Sequence, residues 1–165
     1  MKTFNEYIAL INELAPRIGP PPLMTPTNPQ EQLEQFPTDW TIIENLAAFA
    51  SSLANVVERP TLIAPPGSRA LTFDVNNASE NRKAFMVDLE CAHIHNPPIG
   101  SMHLTLLEPI RSLAFGKKWA LRHPLAVREM VSPDVTFVFA PRDLDELKWA
   151  KLLLEVAHAY ASKVQ

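Results

Sequence analysis

Three histidines in the stretch ECAHIHNPPIGSMHLTL, His93, His95 and His103, are the residues in this chain best placed to do chemistry. Alternate residues of a strand share a face, so His93 and His95 point one way while Ala92 and Ile94 point the other. The turn NPPIG folds the chain back into MHLTLL. A register with His95 opposite His103 and His93 opposite Thr105 gathers the three imidazoles on one patch. It leaves Ala92, Ile94, Met102, Leu104 and Leu106 on an apolar face that suits a core, and a bulge near Glu90 would shift the pairing. Three neutral imidazoles on adjacent strands can bind zinc, iron or copper and leave a position open for water or substrate. They can equally act without metal, as base and hydrogen-bond donors. A lone HxH would read as surface histidines on a hairpin, but a third histidine and Thr105 on the same face favour function.

Arg122 and His123 in RHPLA, and Arg142 in APRD, fall in loops at the ends of predicted elements, where functional groups are commonly placed. Taken alone, each reads as structural. Asp143 is most simply a helix cap, and Trp119 and Tyr160 are core residues with a polar tip. His158, on the last helix, reads as a surface or half-buried residue. Cys91 is the single cysteine, which excludes an internal disulfide and a thiolate zinc cluster, so it reads as a small buried residue.

The elements that must position these residues follow from periodicity. Phe4, Ile8, Ile11 and Ala15 repeat at helical spacing, predicting a short helix over about 3–15 that Pro16 stops. Six prolines lie between Pro16 and Pro29, which predicts an extended, stiff connector. Ile43, Leu46, Ala47, Ala50, Leu53, Ala54 and Val57 mark one apolar stripe, with Thr38 or Asp39 to cap it and Pro60 to end it. From Thr61 the pattern changes. TLIA, RALTFDV and KAFMVDLECAHIH are rich in β-branched and aromatic residues and are separated by APPGS and NNASENR, as antiparallel strands are. EPIRSLAFGKKW reads as a brief helix and DVTFVFA as a strand. DLDELKWAKLLLEVAHAYASKV reads as a closing helix, started by a capping box of Asp143 and Glu146. The expected fold is α+β, an antiparallel sheet packed against helices on one face, with a helical N-terminal segment.

At 165 residues, 47% apolar and 20% charged, the chain suits one globular domain, 1–165. Residues 1–59 form the helical segment with its connector, and 60–165 the α+β core. A net charge of −3 and a pI near 5.9 offer no basic face for nucleic acid or an anionic membrane, so neither partner is expected. No window approaches the roughly 20 apolar residues of a spanning helix, and MKTFNEYIALINEL is charged and amphipathic rather than a signal peptide. A cytoplasmic protein is the expectation, with the oligomeric state left open. Without a glycine-rich phosphate loop, ATP or dinucleotide chemistry has no support.

The run from about Glu90 to Ala161 resembles the luciferase-like domain family. The resemblance rests on E-x-A-H-x-H at Glu90 to His95, His-Leu at His103 and Leu104, Trp119, R-H-P-L-A at Arg122 to Ala126 and A-P-R at Ala140 to Arg142. The acidic residues after Arg142 and the A-Y-A through Tyr160 extend it. The glycines that flank the family tryptophan are Lys118 and Ala120 here. The resemblance implies an oxygenase that adds O₂ to an electron-rich hydroxypyrone or phenolic small molecule, with no cofactor expected beyond molecular oxygen as co-substrate. It implies His93, His95, His103, His123 and Arg142 as catalytic residues around one pocket, and Glu90, Thr105, Trp119, Arg122 and Tyr160 as substrate-binding residues. A histidine of ordinary pKa, near ~6.5, would remove an enol proton, and an arginine would hold the enolate. Two alternatives stand beside it. One is a metal-dependent enzyme using a divalent metal at His93, His95 and His103; the other is a small-molecule binding module without turnover.

Overall fold

The computed structural model describes residues 2–163. Six strands form one antiparallel sheet: β1 (Val56–Pro60), β2 (Arg69–Phe73), β3 (Glu90–Ile94), β4 (Met102–Thr105), β5 (Ala120–Arg122) and β6 (Val135–Val138), in the order β1-β2-β3-β4-β6-β5. Five α-helices accompany it: α1 (Phe4–Glu13), α2 (Thr41–Ser51), α3 (Ile110–Gly116), α4 (Pro124–Val127) and α5 (Leu144–Ala161). The fold is therefore α+β, with a helix at its N-terminal end.

The two outer helices are set by their caps. At α1, Thr3 accepts from the Glu6 backbone N–H and the Glu6 carboxylate accepts from the Thr3 backbone N–H, a complete capping box. At α5 the expected box is half formed, because Asp143 accepts from the Glu146 N–H at 2.8 Å while the Glu146 carboxylate turns to Arg142. Helix α5 lays Leu147, Ala150, Leu153, Leu154 and Ala157 against the sheet face made by Ala92, Ile94, Met102 and Leu104, all of them buried. This is the apolar face expected from alternation.

Some expectations are corrected. The α2 stripe stops at Ser51, and Val57, expected on that helix, lies on edge strand β1 and is exposed. TLIA is a loop, and the segment before Glu90 holds a short 3₁₀ turn, Arg82–Ala84, rather than strand. Residues 120–122 add the strand β5 at the far edge.

The largest difference concerns the proline-rich segment, which is no extended connector. Its second part folds back on itself, with Leu33 N–H donating to the Leu23 carbonyl and Thr25 N–H to that of Glu31. It docks by two side chains that satisfy both backbone groups of one residue, Ala140. The Gln32 amide oxygen accepts from Ala140 N–H at 2.9 Å, and the buried Arg17 guanidinium donates to Ala140 C=O at 3.0 Å. The segment therefore lies across the sheet face opposite α5, where the histidines are.

Candidate functional site

The hairpin β3–β4 pairs His93 with His103, Ile94 with Met102 and Ala92 with Leu104. This is two residues tighter than the expected register. His95 N–H donates to the Ser101 carbonyl, and Ile99 N–H donates to Asn96 C=O within the turn. Because the shift is by two residues, every side chain keeps its face. Ring centroids of His93, His95 and His103 lie 4.8–5.4 Å apart. Gly100 makes the tight turn possible: it sits at φ +67°, and a Cβ there would meet Ile43 of α2 at 2.7 Å.

A bulge interrupts the β2–β3 pairing, so Thr72 opposes Glu90 while Leu71 opposes Ala92. In a regular strand, residues three apart face opposite sides. Here the Glu90 carboxylate instead reaches the His93 ring, Oε1 to Nδ1 2.6 Å, with both side chains buried. His95 Nδ1 is 2.9 Å from the Ser101 hydroxyl. With both Nδ1 atoms engaged, the inner nitrogens are left over. Nε2 of His93, His95 and His103 are all buried without a partner. One ligand nitrogen of each ring lies within 4.8 Å of those of the other two, so the group can hold a metal ion.

His123 stands beside them, its ring 4.6 Å from that of His103 and edge-on to it. Its Nδ1 accepts the Leu125 N–H at 3.1 Å, capping α4. A neutral ring with an accepting Nδ1 carries its proton on Nε2, so His123 is a donor and not a lone-pair ligand. Phe137, opposite His103 on β6, packs 5.0 Å from that ring.

His95, His103 and His123 line a cavity of about 110 Å³, with Gln30, Pro29 and Asn28 of the docked segment, Ile63 and Pro65 of the β1–β2 loop, and Met86, Leu125, Val131 and Val135. Asn28, Pro29 and Ile63 are exposed, so the cavity reaches the surface. Burial is the main cause that lowers the histidine pKa values, with the His93 ring adding to it: His95 falls to about 3, His123 to about 4, and His103 well below the ordinary value, the Gln30 main chain opposing the shift. These rings are neutral at pH 7 and weakly basic.

The other candidates lie elsewhere. Arg142 does not reach the histidine cavity. It lines a separate one with Arg17, Glu146 and Trp149, where its guanidinium pairs with Glu146 and donates to the Ile18 carbonyl. Its work is to hold the N-terminal segment down. Arg122 is exposed at the end of β5. Thr105 is buried and donates to Ala84 C=O at 2.8 Å. Trp119 stacks on Trp149 with ring centroids 5.5 Å apart, and its Nε1–H donates to Ala15 C=O. Tyr160 donates to the Asp134 carboxylate at 2.8 Å. His158 bonds the Ala54 carbonyl and stacks on Phe73, and Cys91 is buried in the core with its thiol pushed up to about 12 by burial. Of the residues the resemblance marks, the structure gathers Glu90, His93, His95, His103 and His123.

A cluster of buried histidines, one of them held by a carboxylate, on an antiparallel sheet and roofed by an N-terminal segment, defines the site. The luciferase domain model matches residues 88–157, which contain all of that cluster; this part of the chain is similar to a luciferase domain. Curated luciferases from Armillaria ostoyae, Armillaria gallica and Armillaria mellea are each 27% identical over 164 aligned residues, which cover 90% of this chain and 61% of theirs. The likeness therefore reaches beyond the C-terminal half into the segment before Thr61, and the chain spans about three-fifths of the length of these relatives. No solved structure matches. Among the described residues no helix is long and apolar enough to cross a membrane.

Proposed function

We propose that this chain is an oxygenase acting on an acidic, electron-rich hydroxypyrone or phenolic small molecule at the histidine-lined cavity. The observation that carries this reading is the set of neutral, weakly basic imidazoles opening on a small apolar cavity, within the part of the chain that is luciferase-like. A ring whose conjugate acid has a pKa of about 3 is a poor base at pH 7. The substrate must therefore ionise readily on its own, which favours a hydroxypyrone enol over a simple phenol.

The enol proton leaves to water, and His123 Nε2–H donates to the enolate oxygen. The ring carbon of the enolate bonds to O₂, losing two electrons as O₂ is reduced to the peroxide level. Return of the proton to the outer oxygen gives a hydroperoxide, so that substrate plus O₂ equals product. The cavity, about 110 Å³, is smaller than the roughly 150 Å³ that accepts benzene. The reacting carbon and O₂ fit inside, and the rest of the molecule lies at the mouth against Ile63 and Val131.

Oxygen-electrode measurements with a hydroxypyrone test this. Uptake of one O₂ per substrate, strongly reduced in His123→Ala, supports it. Tight binding of the pyrone with no uptake would make the chain a binding module instead.

A further inference from the structure

We propose that His93, His95 and His103 form a binding site for one divalent first-row transition-metal ion, with Glu90 and Ser101 orienting two of the ligands and His123 excluded from the ligand set. This differs from the cofactor-free oxygenase implied by the resemblance, and it stands independently of the reaction assigned to the cavity.

The first argument is satisfaction. Nε2 of His93, His95 and His103 are buried without partners, and one ring nitrogen of each lies within 4.8 Å of those of the other two. In a neutral His93 whose Nδ1–H is donated to Glu90, Nε2 keeps a lone pair, and Ser101 Oγ can accept from His95 Nδ1 in the same way. With the His103 Nε2 also a lone pair, one water, which has two protons to donate, could not meet all three. A cation meets all three at once.

The second is geometry. Metal–nitrogen bonds of about 2.0–2.1 Å in a tetrahedral site put the nitrogens about 3.4 Å apart. The ligand nitrogens here lie within 4.8 Å of one another, so at most a shift of about 0.8 Å per ring closes the site. Side-chain rotation supplies that.

The third is the outer shell. Metal-bound imidazoles characteristically donate their other N–H to a carboxylate or another oxygen, which fixes tautomer and ring orientation. Glu90 does this for His93 by means of a bulge whose effect is to bring that carboxylate to the ring. An all-imidazole set suits zinc, iron, copper or nickel and disfavours magnesium or calcium. Three neutral ligands leave the ion's charge uncompensated at first contact, so an anion such as hydroxide or an enolate completes the site.

The test is metal analysis of the purified full chain, followed by titration of the chelated protein with Co²⁺. One equivalent per chain, with the intense visible bands of a four-coordinate cobalt site, is expected. Glu90→Gln should weaken Co²⁺ binding about 10–100-fold, and His103→Gln should abolish the bands. Absence of saturable bands in the unaltered protein overturns the proposal, as do bands unchanged in a folded His103→Gln variant. Metal bound without O₂ uptake would leave this site standing and remove the oxygenase reading. O₂ uptake undiminished after exhaustive chelation, with saturable cobalt bands still seen, would support both readings, the ion then taking no part in the reaction.

Discussion

Glu90 and His93 are three residues apart on one strand, yet their side chains meet at 2.6 Å in the buried layer. A bulge brings them together, and a regular strand would separate them. Replacing Glu90 with Ala leaves a buried ring N–H without an acceptor. The expected loss is about 1–3 kcal/mol of stability, read as a lower urea midpoint at unchanged slope. Glu90→Gln, which still offers an oxygen, should fall between the two.

His123 does two jobs that can be separated. Its Nδ1 caps α4, and its ring lines the cavity, where the proposed reaction uses its Nε2–H. Asn at this position can still cap but presents no Nε2–H. His123→Asn should keep its melting temperature to within a few degrees and lower the O₂-uptake rate about 10²–10³-fold, the usual effect of removing one well-placed donor. A variant that keeps full rate would remove His123 from the reaction.

The histidines make stability depend on pH. In the unfolded chain they titrate near ~6.5, whereas folded His95 and His123 titrate at about 3 and about 4, and His103 well below the ordinary value. Between those values the unfolded state binds more protons, so stability rises with pH and is complete above about 6.5. As pH falls below 6.5 each ring removes up to ~1.4 kcal/mol per pH unit until its folded pKa is reached. Urea midpoints measured from pH 7.5 to pH 4.5 should fall steeply, and His95→Gln should flatten the curve. A flat profile for the unaltered chain would falsify the buried-neutral assignment.

Gly100→Ala should be disruptive although it adds one methyl group. It combines a left-handed backbone with a 2.7 Å approach to Ile43, costing about 2–4 kcal/mol. Because Ser101 and His95 flank this turn, the metal affinity of the variant should drop as well. Cobalt titration under folding conditions checks that.

Gln32→Ala removes the acceptor of Ala140 N–H. The segment 23–33 should loosen while the sheet remains. Hydrogen exchange should speed up in residues 23–33 and at Ala140, with β3 and β4 still protected.

The sheet's buried side and the shared face of the histidines were legible because alternation decides them, and a register error of two residues cannot change either. The cap at Asp143 was legible for a similar local reason. Three things were not. The end of α2 was hidden because Leu53, Ala54 and Val57 continue its apolar stripe, although Leu53 packs on the core from beyond the helix and Ala54 and Val57 are exposed. Arg142 appeared catalytic because a motif shows that a residue matters without showing what it touches; here it touches Glu146 and Ile18. Gln30 and Gln32 carry no periodicity or motif, and their place over the site depends on contacts with Ala140, more than a hundred positions away.

The docked proline-rich segment also changes what the histidine motif alone can specify. The strands supply the imidazoles, but the walls of the cavity come partly from residues 28–30 and 63–65, outside the matched stretch 88–157. Any choice of substrate at this cavity would therefore depend on residues outside the strands that carry the histidines.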